Sequence, residues 1–348
     1  MKKITILALG DFTSGGKPFC LSFENFFSYR NKLPSKFSRM EIEDYATLLA
    51  GVHPKIYTKD ILVMTFFPYN YWNDYIEVYD KDDRIYGDKH FGKDFKEFFD
   101  NIESRIKRYY KGHRLYFVNN PENITTDRDK KKTKQLLLKN KIPTPRSFPF
   151  KNTNQVKEAL KTGIKLYAKP RYGAMGKGMS YLSEKRWVTN FRLENNKIIS
   201  KPSDHGWTFK NITGNSVFLN KLIEGDFLFE EAVNPAKIGN RRFDFRVYIV
   251  CGKVPYFYAR STKAGSILTN WSQGGKIETR EFLKDIPKDK VDLAKKYAMK
   301  TAKIMDFDFI GVDVLFSKDY KDVYVLEVQS FPGFERGFDL IKFLIKHI

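Results

Sequence analysis

Short apolar runs alternate with charged, helix-forming stretches through the first third of the chain. Residues 4–9, 61–67 and 115–118 are apolar runs typical of buried strands, whereas residues 93–110 repeat apolar side chains at helical spacing. Strands that alternate with helices are typical of α/β units. The pattern therefore predicts a small α/β domain over residues 1–120.

A second unit begins after the polar segment 119–123. Residues 128–140 have helical character, and a segment with two prolines at 142–145 stops that helix. We predict a central subdomain over residues 121–230. Its clearest feature is a strand, a glycine-rich turn and a returning strand, over residues 166–170, 171–178 and 179–182.

The remainder of the chain is rich in apolar runs and forms a predicted C-terminal subdomain over residues 231–348. A helix is predicted over residues 288–305, before the last two strands. The stretch 184–221 is polar and weakly patterned, so we expect an insertion or a mobile flap without assigned structure. The predicted strands are residues 227–233, 243–250, 254–260, 309–316 and 323–329.

The charge of the chain points to an anionic partner. Lys and Arg outnumber Asp and Glu by 62 to 41, which gives a net charge of +21, although lysine runs such as 129–134 are typical of solvated helix faces. Cys20 and Cys251 have no partnering His or Cys cluster, so we expect a reducing, cytoplasmic setting. No apolar stretch approaches the ~20 residues that span a bilayer, so no integral membrane association is expected. The oligomeric state stays open.

The glycine-rich turn is a candidate phosphate-binding loop. Gly173, Gly176 and Gly178 allow the backbone to approach a ligand closely, and exposed backbone amides bind phosphate oxygens. Lys169 on the preceding strand adds a positive charge. Glycines also join two strands for steric reasons alone, and that alternative stays open.

Two acids on the last two strands form a candidate metal site. If Ser317 pairs with Val323, Asp313 lies opposite Glu327, and alternation places Glu327 and Gln329 on the same face as Val323 and Val325. Buried carboxylates need a compensating cation, and oxygen ligands of this kind suit Mg²⁺. The alternative is a buried ion pair with a Lys or Arg.

The hairpin over residues 241–260 carries a second polar set. A three-residue turn places Asp244 opposite Arg260, and Arg246 opposite Tyr258. Arginine holds carboxylate or phosphate oxygens with two parallel hydrogen bonds, so Arg246 and Arg260 are candidates for a functional site. The alternative is a structural Asp244–Arg260 pair with Arg246 reaching solvent. Arg241 and Arg242, which begin the hairpin, are expected to be structural.

The order of these motifs from residue 120 onward resembles the ATP-grasp superfamily. It is most similar to RimK-type carboxylate-amine ligases, with segment 265–275 similar to the YheC/YheD-like, spore-coat-associated subgroup. The resemblance implies an α+β ATP-grasp fold in which two α+β subdomains clasp ATP, preceded by the small α/β domain. The residues that carry it are Asp129-Lys130, Lys169-Pro170 with Gly173–Gly178, Glu230–Val233, Asp244–Val247, Arg260, Asn270–Gly275, Asp313 and Glu327–Gly333.

The resemblance also implies roles for individual residues. Lys130 and Lys169 would contact the ATP phosphates with the glycine-rich loop. Glu230, Glu231 and Val233 would hold the adenine. The Mg²⁺ ligands would be Asp313, Glu327 and Gln329, with Gln329 standing where the family usually has Asn, and Mn²⁺ is an alternative ion. The transferring phosphoryl group would be stabilised by Arg246, Arg260 and Asn270.

The resemblance thus implies an ATP- and Mg²⁺-dependent ligase that makes an amide through an acyl phosphate. Its partners would be ATP and an anionic or carboxylate-bearing small molecule, amino acid, peptide or acidic polymer. Two alternatives remain: a phosphotransferase on the same fold, and a non-catalytic binder of an anionic polymer. Nucleic acid is a less favoured partner but stays open.

Overall fold

The computed structural model of the protein describes residues 3–77, 85–194, 197–199, 207–269, 274–333 and 339–348. The strands in this part of the chain are β1 (Ile4–Gly10), β2 (Phe37–Asp44), β3 (Asp60–Thr65), β4 (Arg114–Val118), β5 (Leu166–Pro170), β6 (Ser180–Leu182), β7 (Trp187–Thr189), β8 (Arg192–Glu194), β9 (Lys197–Ile199), β10 (Lys210–Asn211), β11 (Phe227–Glu231), β12 (Lys237–Ile238), β13 (Arg241–Val250), β14 (Lys253–Lys263), β15 (Lys276–Ile277), β16 (Phe309–Phe316) and β17 (Val323–Gln329).

The helices cover the sheets and carry part of the site. A π-helical turn follows α3, and a 3₁₀ turn lies between β16 and β17. The α-helices are α1 (Leu21–Phe27), α2 (Tyr45–Leu49), α3 (Tyr69–Tyr71), α4 (Lys89–Tyr109), α5 (Pro121–Arg128), α6 (Lys130–Lys139), α7 (Thr153–Lys161), α8 (Ser216–Glu224), α9 (Arg280–Lys284), α10 (Lys288–Met305) and α11 (Leu340–His347).

The first sheet is parallel, with strand order β2-β1-β3-β4. Its central strands are apolar on both faces because helices cover both sides. Leu7 and Leu9 of β1 share one buried cluster with the aromatic residues of α4, whereas Ile6 and Ala8 share another with those of α1. The predicted N-terminal α/β arrangement is therefore confirmed.

The second sheet is antiparallel, with order β10-β7-β6-β5-β11. The glycine-rich turn joins β5 to β6, as predicted. Residues 184–221, to which the sequence assigned no structure, contain regular elements where the structure describes them: β7 and β10 extend the sheet, and α8 begins at Ser216. Sparse apolar residues hid these elements, yet Trp187, Phe191 and Phe218 are buried and anchor them.

The third sheet carries the order β15-β14-β13-β16-β17, and β12 also pairs with β13. Residues 309–316 and 323–329 form β16 and β17 with the predicted bounds, and α10 has the predicted bounds 288–305. Ala294, Ala298 and Ala302 of α10 recur at helical spacing and are buried, so the helix packs closely on the sheet.

The register between β16 and β17 differs from the prediction. Phe316, not Ser317, pairs with Val323, and a bulge between Asp313 and Val314 shifts the pairing by one residue. Asp313 lies opposite Glu327, as predicted, but the pairing results from the bulge and not from an uninterrupted register that starts at Ser317 and Val323. The bulge also reverses the side-chain alternation of β17.

The predicted common face of Val323, Val325, Glu327 and Gln329 is consequently wrong. Val323 and Val325 share the buried core with Val328, whereas Glu327 and Gln329 are less buried and line clefts.

Three sheets match the three predicted units, and we keep the boundaries 1–120, 121–230 and 231–348 as a proposal. The boundary after residue 230 falls inside β11, and that after residue 120 coincides with the Asn120 cap of α5. Asn119 exchanges hydrogen bonds with the backbone of Phe309, at 2.6 and 2.9 Å, which fastens the end of β4 to β16. Along the described residues, no helix combines the length and apolar character needed to cross a membrane.

Candidate active site

A cleft of about 860 Å³ lies between the second and third sheets. We call it the nucleotide cleft, after the ATP site that the sequence predicts for these residues. Apolar side chains of Tyr167, Met179, Ile267 and Leu315 contribute to its wall. The predicted site residues that line it are Lys130, Lys169, Gly173, Gly176, Glu230, Glu231, Val233, Arg260, Asp313 and Glu327. Most of the predicted set thus converges on one cavity.

Glu230 sits between two lysines in the floor of the cleft. Lys134 Nζ and Lys169 Nζ lie 2.6 Å from its two carboxylate oxygens. Burial alone would raise the pKa of Glu230, but the charges of Lys169 and Lys134 outweigh it and lower the pKa below its ordinary value. Burial also lowers the pKa of Lys134, whereas the charge of Glu230 outweighs burial at Lys169 and raises its pKa. Glu230 therefore holds Lys169 in place.

Lys130 begins α6 and points across the cleft to two other elements. Its Nζ donates to the Gly173 carbonyl oxygen of the glycine-rich turn and lies 3.0 Å from Glu327 Oε1. Asp129 caps α6 and also binds Arg171, with Nε and Nη2 at 2.8 and 2.6 Å from its carboxylate. Lys130 therefore connects α6 with the glycine-rich turn and with β17.

The glycine-rich turn is fastened to the N-terminal part of the chain. Tyr86 accepts a hydrogen bond from the Ala174 backbone amide at 3.0 Å, and Lys177 forms a buried ion pair with Glu77. Gly178 does not line the nucleotide cleft. It has φ +68°, and a Cβ there would lie 2.6 Å from Phe191, so this glycine is required by packing.

Asp313 is the centre of a buried ion cluster. Arg246 binds it through both Nε and Nη2, and Arg260 Nη2 lies 3.0 Å from its Oδ2. Arg260 Nε also lies 2.8 Å from Asp244. Burial would raise the pKa of Asp313, but Arg246 and Arg260 outweigh it and lower the pKa. The cluster is electrostatically satisfied before any ligand enters.

The predicted hairpin register is confirmed: Asp244 pairs with Arg260, and Arg246 with Tyr258. Arg246 is only 6% exposed, so it does not reach solvent. Arg242 Nη1 donates to the carbonyl oxygens of Ser266 and Ile267, at 3.1 and 3.2 Å. Arg242 also lines the nucleotide cleft, so its purely structural role stays a prediction.

The donors at the proposed metal site suit Mg²⁺. Glu327 is bound only by Lys130 within the described chain, and 31% of its side chain is exposed. Gln329 Nε2 lies 3.4 Å from Asp313 Oδ2. No three His, Cys, Asp or Glu side chains gather as a metal site in the described residues. Two carboxylates and an amide leave the remaining positions of a magnesium ion to phosphate and water oxygens.

Two predicted positions fall elsewhere. Arg246 and Gln329 line an adjoining cleft instead of the nucleotide cleft. Asn270 lies outside the described residues. Its neighbour Thr269 lines the nucleotide cleft and donates to Asp244 through its hydroxyl.

Several residues that line or support the candidate site were not predicted from the sequence. Lys134 lies one helical turn after Lys130, so their shared face on α6 was a usable signal. Lys177, inside the glycine-rich turn, was also visible as a cation in a candidate phosphate loop. Thr269 and the Glu77 partner of Lys177 carried no local signal, because their roles depend on distant elements.

Two sheets that close on such a cleft are the architecture of ATP-grasp ligases, and solved members of that class align along the whole chain. PsnB, an ATP-grasp ligase solved with a phosphomimetic variant of its minimal precursor, Mg and ADP, has a TM-score of 0.58 at 13% identity, covering 100% of this chain and 98% of that one. The macrocyclase MdnC from Microcystis aeruginosa MRC, bound to the precursor peptide MdnA, has a TM-score of 0.56 at 11% identity, covering 98% of each chain. Identities this low establish the fold alone.

The chain belongs to the YheC/D-like ATP-grasp family, whose profile matches residues 126–340. It is also 28% identical over 238 residues to the coenzyme gamma-F420-2:alpha-L-glutamate ligase of Methanococcus maripaludis, covering 68% of this chain and 67% of that protein. The predictions of an ATP-grasp fold and of an ATP-grasp ligase are confirmed.

Proposed function

We propose that the protein joins a carboxylate to an amine, with conversion of ATP to ADP and phosphate. The observation that carries this proposal is the convergence of Arg246, Arg260 and Asp313 opposite Glu327 and Lys130, at the junction of two clefts. Charge that builds up between two anions is the central difficulty of such a reaction, and this corner concentrates cations.

ATP would lie in the nucleotide cleft. Its adenine would fit among Tyr167, Ile267 and the segment of Glu231 and Val233, beside the apolar wall of the cleft. Lys130 and Lys169, with Gly173 and Gly176 of the turn, would contact the phosphates. Glu230 is already bound by two lysines, so its main role would be to position Lys169 and not to contact the adenine. Gly178 contributes to the shape of the turn.

Mg²⁺, with Mn²⁺ as an alternative, would be held by Glu327 and Asp313, with Gln329 as the amide ligand. Asp313 Oδ1 accepts one hydrogen bond, from Arg246, and keeps a lone pair for another ligand. When bound, the ion would neutralise charge on the phosphate oxygens.

In the proposed reaction, a carboxylate oxygen of the substrate attacks the γ-phosphorus while the bond from that phosphorus to the β,γ-bridging oxygen breaks. ADP leaves and an acyl phosphate forms. An amine then attacks the acyl carbon. The bond between that carbon and the phosphate oxygen breaks, inorganic phosphate leaves, and the attacking nitrogen loses a proton to solvent. Arg246 and Arg260, with Asn270 from the adjacent segment, would hold the phosphoryl oxygens throughout.

The substrates would be a carboxylate-bearing small molecule, amino acid, peptide or acidic polymer and an amine. Among the ligases named above, one is named as a glutamate ligase, PsnB was solved with a precursor variant, and MdnC was solved with a precursor peptide. The net charge of +21 favours anionic partners. The free cysteines Cys20 and Cys251 agree with the proposed cytoplasmic setting.

A panel of amino acids, peptides and acidic oligomers tests the proposal through Mg²⁺-dependent release of ADP and phosphate. A ligase releases both, whereas a kinase leaves the phosphate on the acceptor. Glu327→Gln should lower turnover about 100-fold or more, and the exposed Glu281→Gln on α9 is the matched control. Turnover near the wild-type rate in Glu327→Gln contradicts the proposed site. Salt-sensitive polymer binding without any turnover would support the non-catalytic alternative instead.

A further inference from the structure

A second cleft of about 1150 Å³ adjoins the nucleotide cleft, and we call it the acceptor cleft. It shares Lys130, Ala174, Arg260 and Glu327 with the nucleotide cleft. Its other wall is formed by residues from the N-terminal part, including Phe67 and Tyr69, and by the end of β17. A ligand bound here would therefore face the corner at which we place the transferring phosphoryl group.

Asp127 is a buried acid in the wall of the acceptor cleft. The residue is 9% exposed, and its Oδ2 accepts a hydrogen bond from the Ser330 backbone amide at 2.9 Å, next to Gln329. Its Oδ1 is buried and has no hydrogen-bond partner in the described part of the chain. A buried carboxylate oxygen without a donor is costly, so a ligand that displaced the atoms covering it and donated to it would be favoured.

Arg128, the next residue, lines the same cleft. Its guanidinium carbon lies 4.7 to 5.8 Å from the ring centroids of Phe95, Trp72 and Phe67. Its buried Nε has no hydrogen-bond partner within the residues described. The rings hold the planar group in place, and no carboxylate of the described residues binds its donors.

The other charges of this cleft are already matched. Arg246 and Arg260 bind Asp313, and Lys130 binds Glu327. Asp127 and Arg128 are adjacent, opposite in sign and line one cavity, and no ion pair joins them among the described residues. Together they form a buried donor and acceptor set of the kind that a zwitterion satisfies.

We propose that Asp127 and Arg128 form the binding site for a free α-amino acid, with Asp127 holding its ammonium group and Arg128 its carboxylate. The inference rests on the proposed ligase function, because it assigns the amine substrate of that reaction. Asp127 lies beside the end of β17 and therefore brings the amine toward the reacting corner. Arg128 holds the other end of the amino acid against the aromatic rings.

The alternative is that both residues only support the fold. Asp127 would then merely anchor Ser330, and Arg128 would pack as a flat group in an aromatic cluster. That alternative explains one oxygen of Asp127 and the apolar face of Arg128. It leaves Oδ1 of Asp127 and Nε of Arg128 buried without partners, which native proteins rarely tolerate.

The test measures equilibrium binding of each of the twenty common L-amino acids to the full chain in the presence of Mg-ADP. For each amino acid that binds, the N-acetyl derivative lacks the ammonium group and the α-amide lacks the carboxylate. We expect at least one amino acid to bind, and either derivative to bind at least tenfold more weakly to the wild type.

The variants assign each group of the ligand to its residue. We define each penalty as the factor by which N-acetylation or amidation of the amino acid weakens its binding. In Asp127→Asn the penalty for N-acetylation should fall by at least fivefold, while the penalty for amidation should not change. In Arg128→Met the reverse should hold, and Arg128→Lys should restore part of the amidation penalty. Asp100→Asn and Arg105→Met, both on α4 and outside the cleft, should leave both penalties unchanged.

A rise in melting temperature with Mg-ADP verifies that each variant folds and binds nucleotide. If no amino acid binds although Mg-ADP does, the inference is overturned while the proposed ligase function stands. The inference is equally overturned if both variants keep the wild-type penalties. If Mg-ADP does not bind the wild type, the proposed function fails at the nucleotide itself.

Discussion

Asp313 lies directly opposite Glu327 on adjacent antiparallel strands, although the strands pair one residue out of step beyond this point. The bulge that causes this turns Glu327 toward the cleft. Arg246 and Arg260 compensate Asp313, and Lys130 compensates Glu327. Each of these two neighbouring acids is therefore paired with at least one cation of the protein, which offsets their mutual repulsion.

The two acids should respond differently to removal of charge. Glu327→Gln should lower turnover about 100-fold or more, which corresponds to about 2.7 kcal/mol. The melting temperature without ligand should stay near that of the wild type, because Glu327 is partly exposed. Asp313→Asn should also lower the free energy of unfolding by about 3 kcal/mol, since it leaves two buried arginines without their partner. Turnover assays and urea unfolding measure both effects, and equal stability losses would contradict the ion cluster.

Substitutions of the two lysines that bind Glu230 should affect different properties, nucleotide binding at Lys169 and stability at Lys134. Lys169→Met should weaken Mg-ADP binding about tenfold or more, equivalent to about 1.4 kcal/mol. Lys134→Met should lower the free energy of unfolding by about 3 kcal/mol, because Lys134 is buried against Glu230 and does not line the nucleotide cleft. Binding titrations and urea unfolding check this division. A larger binding loss in Lys134→Met than in Lys169→Met would refute it.

Gly178 should be less tolerant of a side chain than another glycine with positive φ. Gly178→Ala combines φ +68° with a Cβ that would lie 2.6 Å from Phe191, so it should cost about 3 kcal/mol of unfolding free energy. Gly112→Ala has φ +92° and no atom within 4 Å, so it should cost about 1 kcal/mol. Chemical denaturation of both variants provides the comparison. Similar losses would show that backbone strain, not packing, limits position 178.

Asp127 should make the protein less stable as the pH rises. Burial raises the pKa of Asp127 from 3.8 to about 6 in the folded protein. The folded state therefore favours the protonated form, so its stabilising contribution is complete below about pH 4 and is lost as the pH rises through about 6. The loss should be about 3 kcal/mol for a shift of this size.

Asp127→Asn removes this titration and should be more stable than the wild type at pH 7.5. The stability difference should shrink toward pH 4, as measured by urea unfolding at several pH values. Asp100→Asn on the exposed face of α4 serves as the control and should show no such trend. A variant that is less stable than the wild type at pH 7.5 would contradict the cost assigned to the buried Asp127 carboxylate.

Most of the secondary structure near the site was predictable from the chain. The bounds of β16, β17 and α10 follow from apolar runs and helical spacing, since local periodicity reports burial directly. Residues 184–221 were not predictable in this way. Their elements are short and mostly polar, and they are ordered by a few buried aromatic residues such as Trp187 and Phe218.

Most charged residues of the candidate site and the strand pairings between them were predictable, but the ion pairs between distant elements were not. Lys130, Lys169, Asp313 and Glu327 were identified by residue type and motif order, and the structure places all four at one cleft. Local sequence does not report that Lys134 contacts Glu230, 96 positions away. Such contacts depend on how two sheets meet.

The sequence by itself determined the family, the elements of the third sheet and the charged residues available for chemistry, because these depend on residue type and short-range spacing. Only the tertiary structure decided which face of β17 carries Glu327, which cation neutralises which acid, and that Oδ1 of Asp127 and Nε of Arg128 are buried without a hydrogen-bond partner among the described residues. The physical reason is that a single bulge reverses side-chain alternation, and ion pairing depends on distances between strands and helices far apart in the chain.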